Sequence, residues 1–301
     1  MRVAVMGAGA VGGYFGALLH RGGLDVTFVA RGPHLEAIKA RGLQIKSYRG
    51  DFTVSARAVG DPMEVGSVDL ILICVKAYDT ESAARQCLPS IRKGTILLSL
   101  QNGVDNEEKI AAIVGEERVL GGVAYIGAGV SEPGVILHTA EGKIAFGEIT
   151  GGISSRVRQL EQTFRETGLP AEISSDIQAI LWDKLCWNAT FNALNALLEG
   201  DVRSVVERPD VRELARRVME EVRAVAAAHG IHLPEDLVER HLRWTAKAPA
   251  GMKTSTRQDL EAGRALEVEA LNGVVVHKGK AAGVSTPYNF AFYTLLKNLG
   301  R

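Results

Sequence analysis

Three glycines near the N-terminus constrain the fold more than any other feature of this sequence. Gly7, Gly9 and Gly12 follow the apolar stretch Arg2–Met6, which is typical of a β-strand, and precede a stretch with helical character. In such a strand–loop–helix unit, the first glycine permits a tight turn, the second lets another group approach the backbone, and the third allows close helix–strand packing. The helix N-terminus then offers free N–H groups to an anion, which predicts a pyrophosphate cradle. The predicted cradle residues are Gly7, Ala8, Gly9, Ala10, Val11 and Gly12.

The rest of the first half alternates short apolar stretches with helical ones, which predicts a mainly parallel sheet wrapped by crossover helices. The further strands that we expect are Val26–Ala30, Leu70–Val75, Ile96–Ser99 and Arg118–Gly121. Between Val123 and Gly147, glycine-punctuated extended segments indicate added strands and turns at one edge. The predicted last elements of this region are a helix at Ser155–Thr167 and a short strand at Pro170–Ile173.

The second half has a different pattern, with long helical periodicity and few strand signals. The predicted helices are Ile177–Leu198, Val211–His229, Leu237–Trp244, Thr256–Lys280 and Tyr288–Leu299. A chain of 301 residues commonly divides into two domains. We therefore expect an α/β domain at residues 1–173 and an all-α domain at residues 174–301.

Composition narrows the possible partners. Lys plus Arg and Asp plus Glu both number 35, and this balance argues against broad binding to nucleic acid or to an anionic membrane. No apolar run approaches the roughly 20 residues that cross a bilayer. The cysteines Cys74, Cys87 and Cys186 are far apart, and neither they nor the histidines show metal-ligand spacing, so we expect no metal and a reducing, cytoplasmic compartment.

Arg31 bears on which dinucleotide the predicted cradle holds. NAD-binding versions of this unit usually place an acidic residue at the end of the second strand, where it holds the ribose 2′-hydroxyl. Here that strand ends Val29-Ala30-Arg31. A guanidinium can pair with a 2′-phosphate, which predicts NADPH/NADP⁺ as cofactor, although a solvated loop arginine is the alternative.

A polar stripe interrupts the otherwise apolar helix predicted at Ile177–Leu198. Lys184, Asn188, Asn192 and Asn195 stand at i, i+4, i+8 and i+11, which places them along one face. Polar groups on a buried helix are costly unless they meet partners or line a wet cleft. Partial burial would also lower the pKa of a lysine into a range that suits proton transfer. The stripe therefore indicates either a reaction site or an internal hydrogen-bond network.

Further motifs are spread along nearly the whole chain. They are Val75-Lys76, Gln101-Asn102-Gly103, Trp182-Asp183-Lys184 followed by Asn188 and Asn192, Ser255-Thr256-Arg257-Gln258-Asp259, and Glu267-Val268-Glu269-Ala270-Leu271-Asn272-Gly273. Together with the glycine loop, this ordered set resembles the ketopantoate reductase (2-dehydropantoate 2-reductase) family. The resemblance implies a Rossmann-like N-terminal α/β domain, and an all-α C-terminal domain that resembles the 6-phosphogluconate dehydrogenase C-terminal type.

The resemblance also implies an activity and roles for individual residues. The reaction would be NADPH-dependent reduction of 2-dehydropantoate to (R)-pantoate, a step of pantothenate and coenzyme A biosynthesis. Lys184 would be the general acid, and Glu267 would shape the same catalytic site. The implied substrate-binding residues are Asn102, Asn188, Asn192 and Ser255. The implied cofactor contacts, beside the glycine loop, are Arg31, Lys76, Asn102 and Glu267. A homodimer through the helical domain is a further expectation.

The residues by themselves leave alternatives open. Lys76 and Asn102 follow predicted strands, where ligands of parallel sheets bind, but either could instead cap the next turn. Ser255 could form a capping box with Gln258. Glu267 shares one predicted long helix with Glu261 and Glu269, and composition does not choose among the three.

Two other functions also stay open. A paralogous reductase of another small 2-oxo acid would use the same donors. A noncatalytic NADPH-sensing protein would need the glycine loop and Arg31 but not the polar stripe.

Overall fold

A computed structural model describes residues 1–299, and these residues form two compact units. The first unit comprises Met1–Gln101 and Asn106–Ile177. The second comprises Asn102–Asp105 and the chain from Gln178 onward. Within residues 1–299, no helix combines the length and the apolar character that crossing a membrane requires.

A ten-stranded sheet forms the centre of the first unit. Its strands are β1 (Arg2–Met6), β2 (Asp25–Val29), β3 (Leu43–Ser47), β4 (Phe52–Val54), β5 (Arg57–Val59), β6 (Leu70–Ile73), β7 (Ile96–Ser99), β8 (Val119–Glu132), β9 (Val135–Glu148) and β10 (Ala171–Ile173). The order is β4-β3-β9-β8-β7-β6-β1-β2-β5, and β10 pairs with β9. All pairs are parallel except β3 with β4 and β8 with β9. The predicted α/β class with a mainly parallel sheet is confirmed.

The sheet is buried on both faces because helices cover each side. Val3 and Val5 of β1 pack into one core, whereas Ala4 and Met6 pack into the other. The first core receives the helices at Ala10–Arg21 and Ser155–Glu166, and the second receives those at Thr80–Cys87 and Asn106–Val114. The helices of this unit are α1 (Ala10–Arg21), α2 (Gly32–Arg41), α3 (Thr80–Cys87), α4 (Asn106–Val114) and α5 (Ser155–Glu166).

The sheet departs from expectation in two places. Strands β3, β4 and β5 were not among the predicted strands, since β4 and β5 have only three residues each and three of the five residues of β3 are polar. The region Val123–Gly147 does supply added strands, but β8 and β9 are 14 residues each and pair as one long antiparallel hairpin. This hairpin lies inside the sheet and not at its edge, because β3 and β4 continue the sheet beyond β9. Three register shifts interrupt their pairing.

The second unit is helical, as predicted. Its α-helices are α6 (Ile177–Trp187), α7 (Ala193–Leu197), α8 (Val202–Glu207), α9 (Pro209–Ala228), α10 (Leu237–Ala246), α11 (Ser255–Glu261), α12 (Val274–Ala282) and α13 (Pro287–Leu299). Two π-helical turns also occur in this unit, one before α7 and one before α12. The first π turn, Asn188–Asn192, connects α6 to α7, so the predicted helix Ile177–Leu198 exists with a wider turn inside it.

The prediction of one long helix at Thr256–Lys280 is wrong. Helix α11 ends at Glu261, and the chain then leaves helical geometry through Gly263, whose φ is +62°. Helical structure resumes in the second π turn, Glu269–Gly273, and continues into α12. Glu261, Glu267 and Glu269 therefore do not share a helix.

Candidate active site

The glycine loop of the first unit has the geometry that its spacing predicts. Gly7 has a φ of +97°, and a Cβ there would lie 3.0 Å from the backbone of Cys74 and Val75. A Cβ at Gly12 would lie 2.2 Å from the Gly7 carbonyl oxygen, so α1 packs directly against the loop. A Cβ at Gly9 would meet nothing within 4 Å. Gly7 and Gly12 are thus constrained by neighbouring atoms, whereas the space beside Gly9 is open to an approaching group.

The N-terminus of α1 suits an anion. Its N-cap, Gly9, has no side chain that caps the first N–H groups, and the first turn contains no acidic residue. Unsatisfied N–H groups and the helix dipole both favour negative charge at this position. These features fit the pyrophosphate of a dinucleotide.

His34 hydrogen-bonds to the glycine loop. This contact was not predicted from the sequence. The Gly134 N–H donates to His34 Nδ1 over 3.0 Å, so Nε2 carries the proton and donates to the Ala8 carbonyl over 2.8 Å. The N–H groups of Gly7 and Ala8 are held in turn by the Val29 carbonyl, at 3.3 and 3.1 Å. His34 stands 100 residues from Gly134 in the chain, and no local pattern marks such a contact.

Arg31 lies where the sequence suggested, two residues beyond the end of β2. It is exposed and occupies the N-cap position of α2, and its side chain makes no capping hydrogen bond. The guanidinium is therefore not committed to capping that helix.

Gln101 fixes the chain after two central strands. Its side-chain amide donates to the Val75 carbonyl over 3.0 Å and to Thr80 Oγ1 over 2.8 Å. These bonds tie the segment after β7 to the segment after β6. Lys76 and Asn102, the residues next to the two tied positions, are both half-buried. Lys76 makes no side-chain capping bond to the turn that follows it, so the capping alternative fails for Lys76.

Lys184 and Glu267 of the second unit interact electrostatically. Lys184 on α6 is half-buried, and Glu267, in the segment before the second π turn, is only 8% exposed. Burial lowers the pKa of Lys184 to about 8, and attraction to the Glu267 carboxylate opposes this by favouring the charged form. The amine therefore titrates near neutral pH, in the range that suits a general acid.

The structure also separates Glu267 from its two neighbours. Glu261 binds Arg257 and Lys253, at 2.7 and 2.9 Å. Glu269 accepts from Tyr293 and Lys297, at 2.7 and 2.8 Å. Of the three carboxylates, only Glu267 is buried and is a cause of the Lys184 pKa shift.

Asp183 anchors the turn that carries Lys184. Its carboxylate pairs with Arg240 and lies 3.0 Å from His241 Nε2, which joins α6 to α10. Burial alone would raise the pKa of Asp183, but the hydrogen bonds from His241 and Arg240 outweigh it and lower that pKa. The carboxylate is thus ionised and holds α6 in place.

The polar stripe divides into two parts. Asn188 and Asn192 lie in the first π turn and are 6% and 2% exposed, and within residues 1–299 their side-chain amides form no hydrogen bond. Asn195 has a structural role, because its amide donates to the Gly200 carbonyl over 3.1 Å and accepts from Thr254 N–H over 3.0 Å. The wider π turn also alters the α-helical spacing that we assumed for these residues.

The alternative role for Ser255, a capping box with Gln258, is wrong. The N-cap of α11 is Thr254, whose hydroxyl accepts from the Arg257 N–H, while Ser255 is the first helical residue and is exposed. Gln258 donates to the Lys253 carbonyl instead. The Ser255 hydroxyl is therefore not used as the helix cap.

The fold and these groups together define a class, the two-unit α/β and all-α oxidoreductases with a dinucleotide-type loop and a buried lysine–carboxylate pair. Comparison with known proteins identifies the family. Residues 3–151 match the family described as Ketopantoate reductase PanE/ApbA, and residues 176–300 match its C-terminal part. This chain belongs to the ketopantoate reductase family, whose members are oxidoreductases acting on CH–OH groups.

Individual relatives cover the whole chain. It is 35% identical to a 2-dehydropantoate 2-reductase of Archaeoglobus fulgidus, over 99% of this chain and 97% of that protein. The solved structure of a 2-dehydropantoate 2-reductase from Geobacter metallireducens is 36% identical, with a TM-score of 0.94 and 99% of each chain covered. A D-mandelate dehydrogenase solved with NADH and anilino(oxo)acetate is 28% identical, with a TM-score of 0.92 over 100% of this chain and 98% of that one.

Proposed function

We propose that this protein reduces 2-dehydropantoate to (R)-pantoate with NADPH. The observation that carries the proposal is the pairing of the half-buried Lys184 with the buried Glu267, in which the pKa of Lys184 is lowered to about 8. The likeness to several proteins named 2-dehydropantoate 2-reductase supports this choice of substrate.

The proposed chemistry is a balanced two-electron reduction. Held by the glycine loop Gly7–Gly12, NADPH would supply the hydride that the carbonyl carbon of the oxo acid accepts, and would become NADP⁺. As negative charge develops on the carbonyl oxygen, the Lys184 ammonium stabilises it and transfers one proton, which completes the alcohol. Glu267 favours the charged form of Lys184 before this transfer. We assign substrate binding to the amides of Asn188 and Asn192, with Asn102 and the exposed Ser255 hydroxyl.

The proposed preference for NADPH rests on the first unit. The glycine loop Gly7–Gly12 would hold the pyrophosphate, and the exposed Arg31 would pair with the 2′-phosphate. Lys76 and Asn102 would add contacts from the segments that Gln101 ties together, and we assign a cofactor contact to Glu267 as well.

A paralogous reductase of another small 2-oxo acid is the second candidate. The similarity to D-mandelate dehydrogenase favours it, because that protein was solved with NADH and an aromatic oxo-acid ligand. A noncatalytic NADPH-sensing protein is disfavoured, since it has no need of the lysine–carboxylate pair.

The deciding experiment follows NADPH absorbance with a panel of oxo acids that includes 2-dehydropantoate, 2-oxoisovalerate and benzoylformate. We expect 2-dehydropantoate to have the largest kcat/KM. A larger value for benzoylformate would support the paralogue instead, and stoichiometric NADPH binding without turnover of any acid would support the sensor.

The proposal extends to the cellular setting. The reaction would serve pantothenate and coenzyme A biosynthesis in the cytoplasm. A homodimer through the helical unit is supported by the exposed side chains of Phe290 and Leu295 on α13. Size-exclusion chromatography with light scattering measures this state directly.

A further inference from the structure

One buried hydrogen bond joins the two π turns of the second unit. Asn272, in the second π turn, donates through Nδ2 to the Ala189 carbonyl of the first, over 2.8 Å. Asn272 is only 1% exposed. A side-chain bond between two such turns is unusual, since π turns are themselves rare and are frequently found at functional sites.

The same amide is held from its other side by a second asparagine. Asn272 Nδ2 also donates to Asn289 Oδ1 over 3.0 Å, so both of its N–H groups are used. Asn289 donates in turn to the Val218 carbonyl and to the Glu221 carboxylate, at 3.2 and 2.8 Å. Asn272 is therefore locked in one orientation by groups on α9 and α13.

Glu221 completes this network. Its carboxylate on α9 accepts from the backbone N–H groups of Tyr288 and Asn289, both over 2.9 Å. These N–H groups belong to the first turn of α13, which contains no acidic residue of its own. Glu221 thus caps α13 from another helix, and the cap fixes Asn289 in place.

The hydrogen bond between Asn272 and Ala189 lies close in the sequence to both Lys184 and Glu267. Ala189 lies five residues after Lys184, and Asn272 lies five residues after Glu267. The bond therefore joins the backbone about one turn beyond each member of the charged pair. Lys184 and Glu267 come from distant parts of the chain, and this bond fixes the two segments relative to each other.

We propose that Asn272 is a positioning residue, which holds the first π turn against the second and so keeps Lys184 and Glu267 in register. The expected effect of Asn272 on turnover rests on the proposed function, whereas its expected effect on the position of Lys184 does not. No other side chain can easily replace the amide. Leucine has similar bulk but no donor, and aspartate would face the acceptor atoms of Ala189 and Asn289 without a proton to donate.

The test compares Asn272→Leu with Asn195→Leu. Asn195 is a matched control, because it is another buried asparagine of the second unit and its side-chain amide likewise makes two hydrogen bonds. For each variant, the pKa of Lys184 is read by NMR in protein with isotope-labelled lysine, with Lys184→Arg used to assign the signal. This readout requires no turnover, so it stays informative even if the proposed reaction is wrong.

In Asn272→Leu we expect looser packing to admit water around Lys184. Because burial is the main cause of the low Lys184 pKa, that pKa should rise by about one unit or more toward its ordinary value. If the proposed reaction is correct, kcat should also fall about tenfold to a hundredfold, while NADPH affinity stays unchanged. Asn195→Leu should lose stability without moving the Lys184 titration.

An unchanged Lys184 titration in folded Asn272→Leu would overturn the inference, whatever happened to the melting temperature. If that variant does not fold, Asn272→Ser keeps one shorter donor and is judged by the same titration. If the Lys184 titration shifts in Asn272→Leu as expected but the wild-type protein reduces no oxo acid, the proposed function is refuted and the positioning role of Asn272 stands.

Discussion

The glycine loop and the paired π turns build functional geometry in opposite ways. In the loop, six consecutive residues supply the turn, the open backbone and the close packing. The geometry is therefore encoded locally, by glycines that have no side chain. In the π turns, the geometry depends on side chains, and the joining bond links residues 83 positions apart. A local backbone site can be recognised from spacing alone, whereas a site built from distant side chains requires the fold to be known.

The difference extends to how each region should respond to mutation. Loop substitutions meet neighbouring backbone directly, so their effects follow from the space at each position. Substitutions in the helical unit act through charge and through hydrogen-bond partners on other helices. Substitutions in each region therefore test this contrast.

Replacing the proposed acid should have the largest effect. Lys184→Ala removes both the charge and the proton, so we expect kcat to fall by about two to four orders of magnitude with little change in NADPH affinity. Lys247→Ala, at an exposed lysine of the same unit, is the control and should keep normal turnover. Near-normal kcat in Lys184→Ala would refute the assignment.

Arg31 should affect cofactor choice rather than the chemical step. Arg31→Glu replaces the proposed partner of the 2′-phosphate by a like charge, so KM for NADPH should rise about tenfold to a hundredfold and the preference over NADH should shrink. Arg49→Glu changes another exposed arginine of the first unit and controls for net charge. Equal effects of the two substitutions would show that Arg31 has no specific role.

Two alanine substitutions in the loop should separate binding from folding. Gly9→Ala has open space around the added methyl, so the protein should fold normally and bind NADPH about tenfold more weakly, because the methyl stands where the cofactor approaches. Gly12→Ala would place its methyl against the Gly7 carbonyl and should destabilise the first unit by about 1–3 kcal/mol. Thermal melts and NADPH titrations of both variants measure the two effects. Normal NADPH affinity in Gly9→Ala would contradict the predicted cradle.

The pH dependence of turnover should give the smallest effect. In the proposed reaction the ammonium form of Lys184 is the active one, and its pKa is about 8, so kcat should be near half its maximum at that pH and decline above it. Glu267 raises this pKa, so in Glu267→Gln the midpoint of kcat should move to lower pH. A midpoint that stays in place would show that another group controls the high-pH limb.

Sequence alone predicted the parts of the fold that depend on local pattern. The strands Arg2–Met6 and Ile96–Ser99 have the predicted bounds, because each is a buried apolar run with clear ends. Short strands such as β4 and β5 were missed, since three residues carry too little periodicity. Helix periodicity was also extended through Gly263, although a positive φ there ends the helix.

The candidate site shows the same limit. The resemblance to a family selected Glu267, and burial beside Lys184 now gives a physical reason for that choice. His34 was passed over because its contacts with Ala8 and Gly134 come from distant segments. Thr254 was not recognised as a cap because it has Arg257 three residues later, whereas Ser255 is followed at that spacing by Gln258 and so fits the capping-box motif.

The capping of α13 by Glu221 makes this helix important for the stability of the helical unit. A carboxylate that is 8% exposed and satisfied by N–H groups of α13 would be left charged and unpaired if that helix detached. Such a loss costs several kcal/mol, so detachment of α13 should be coupled to unfolding of the whole helical unit. Helix α13 should therefore resist fraying and proteolysis as strongly as the other helices of the unit, and truncating the chain within it would disable the unit.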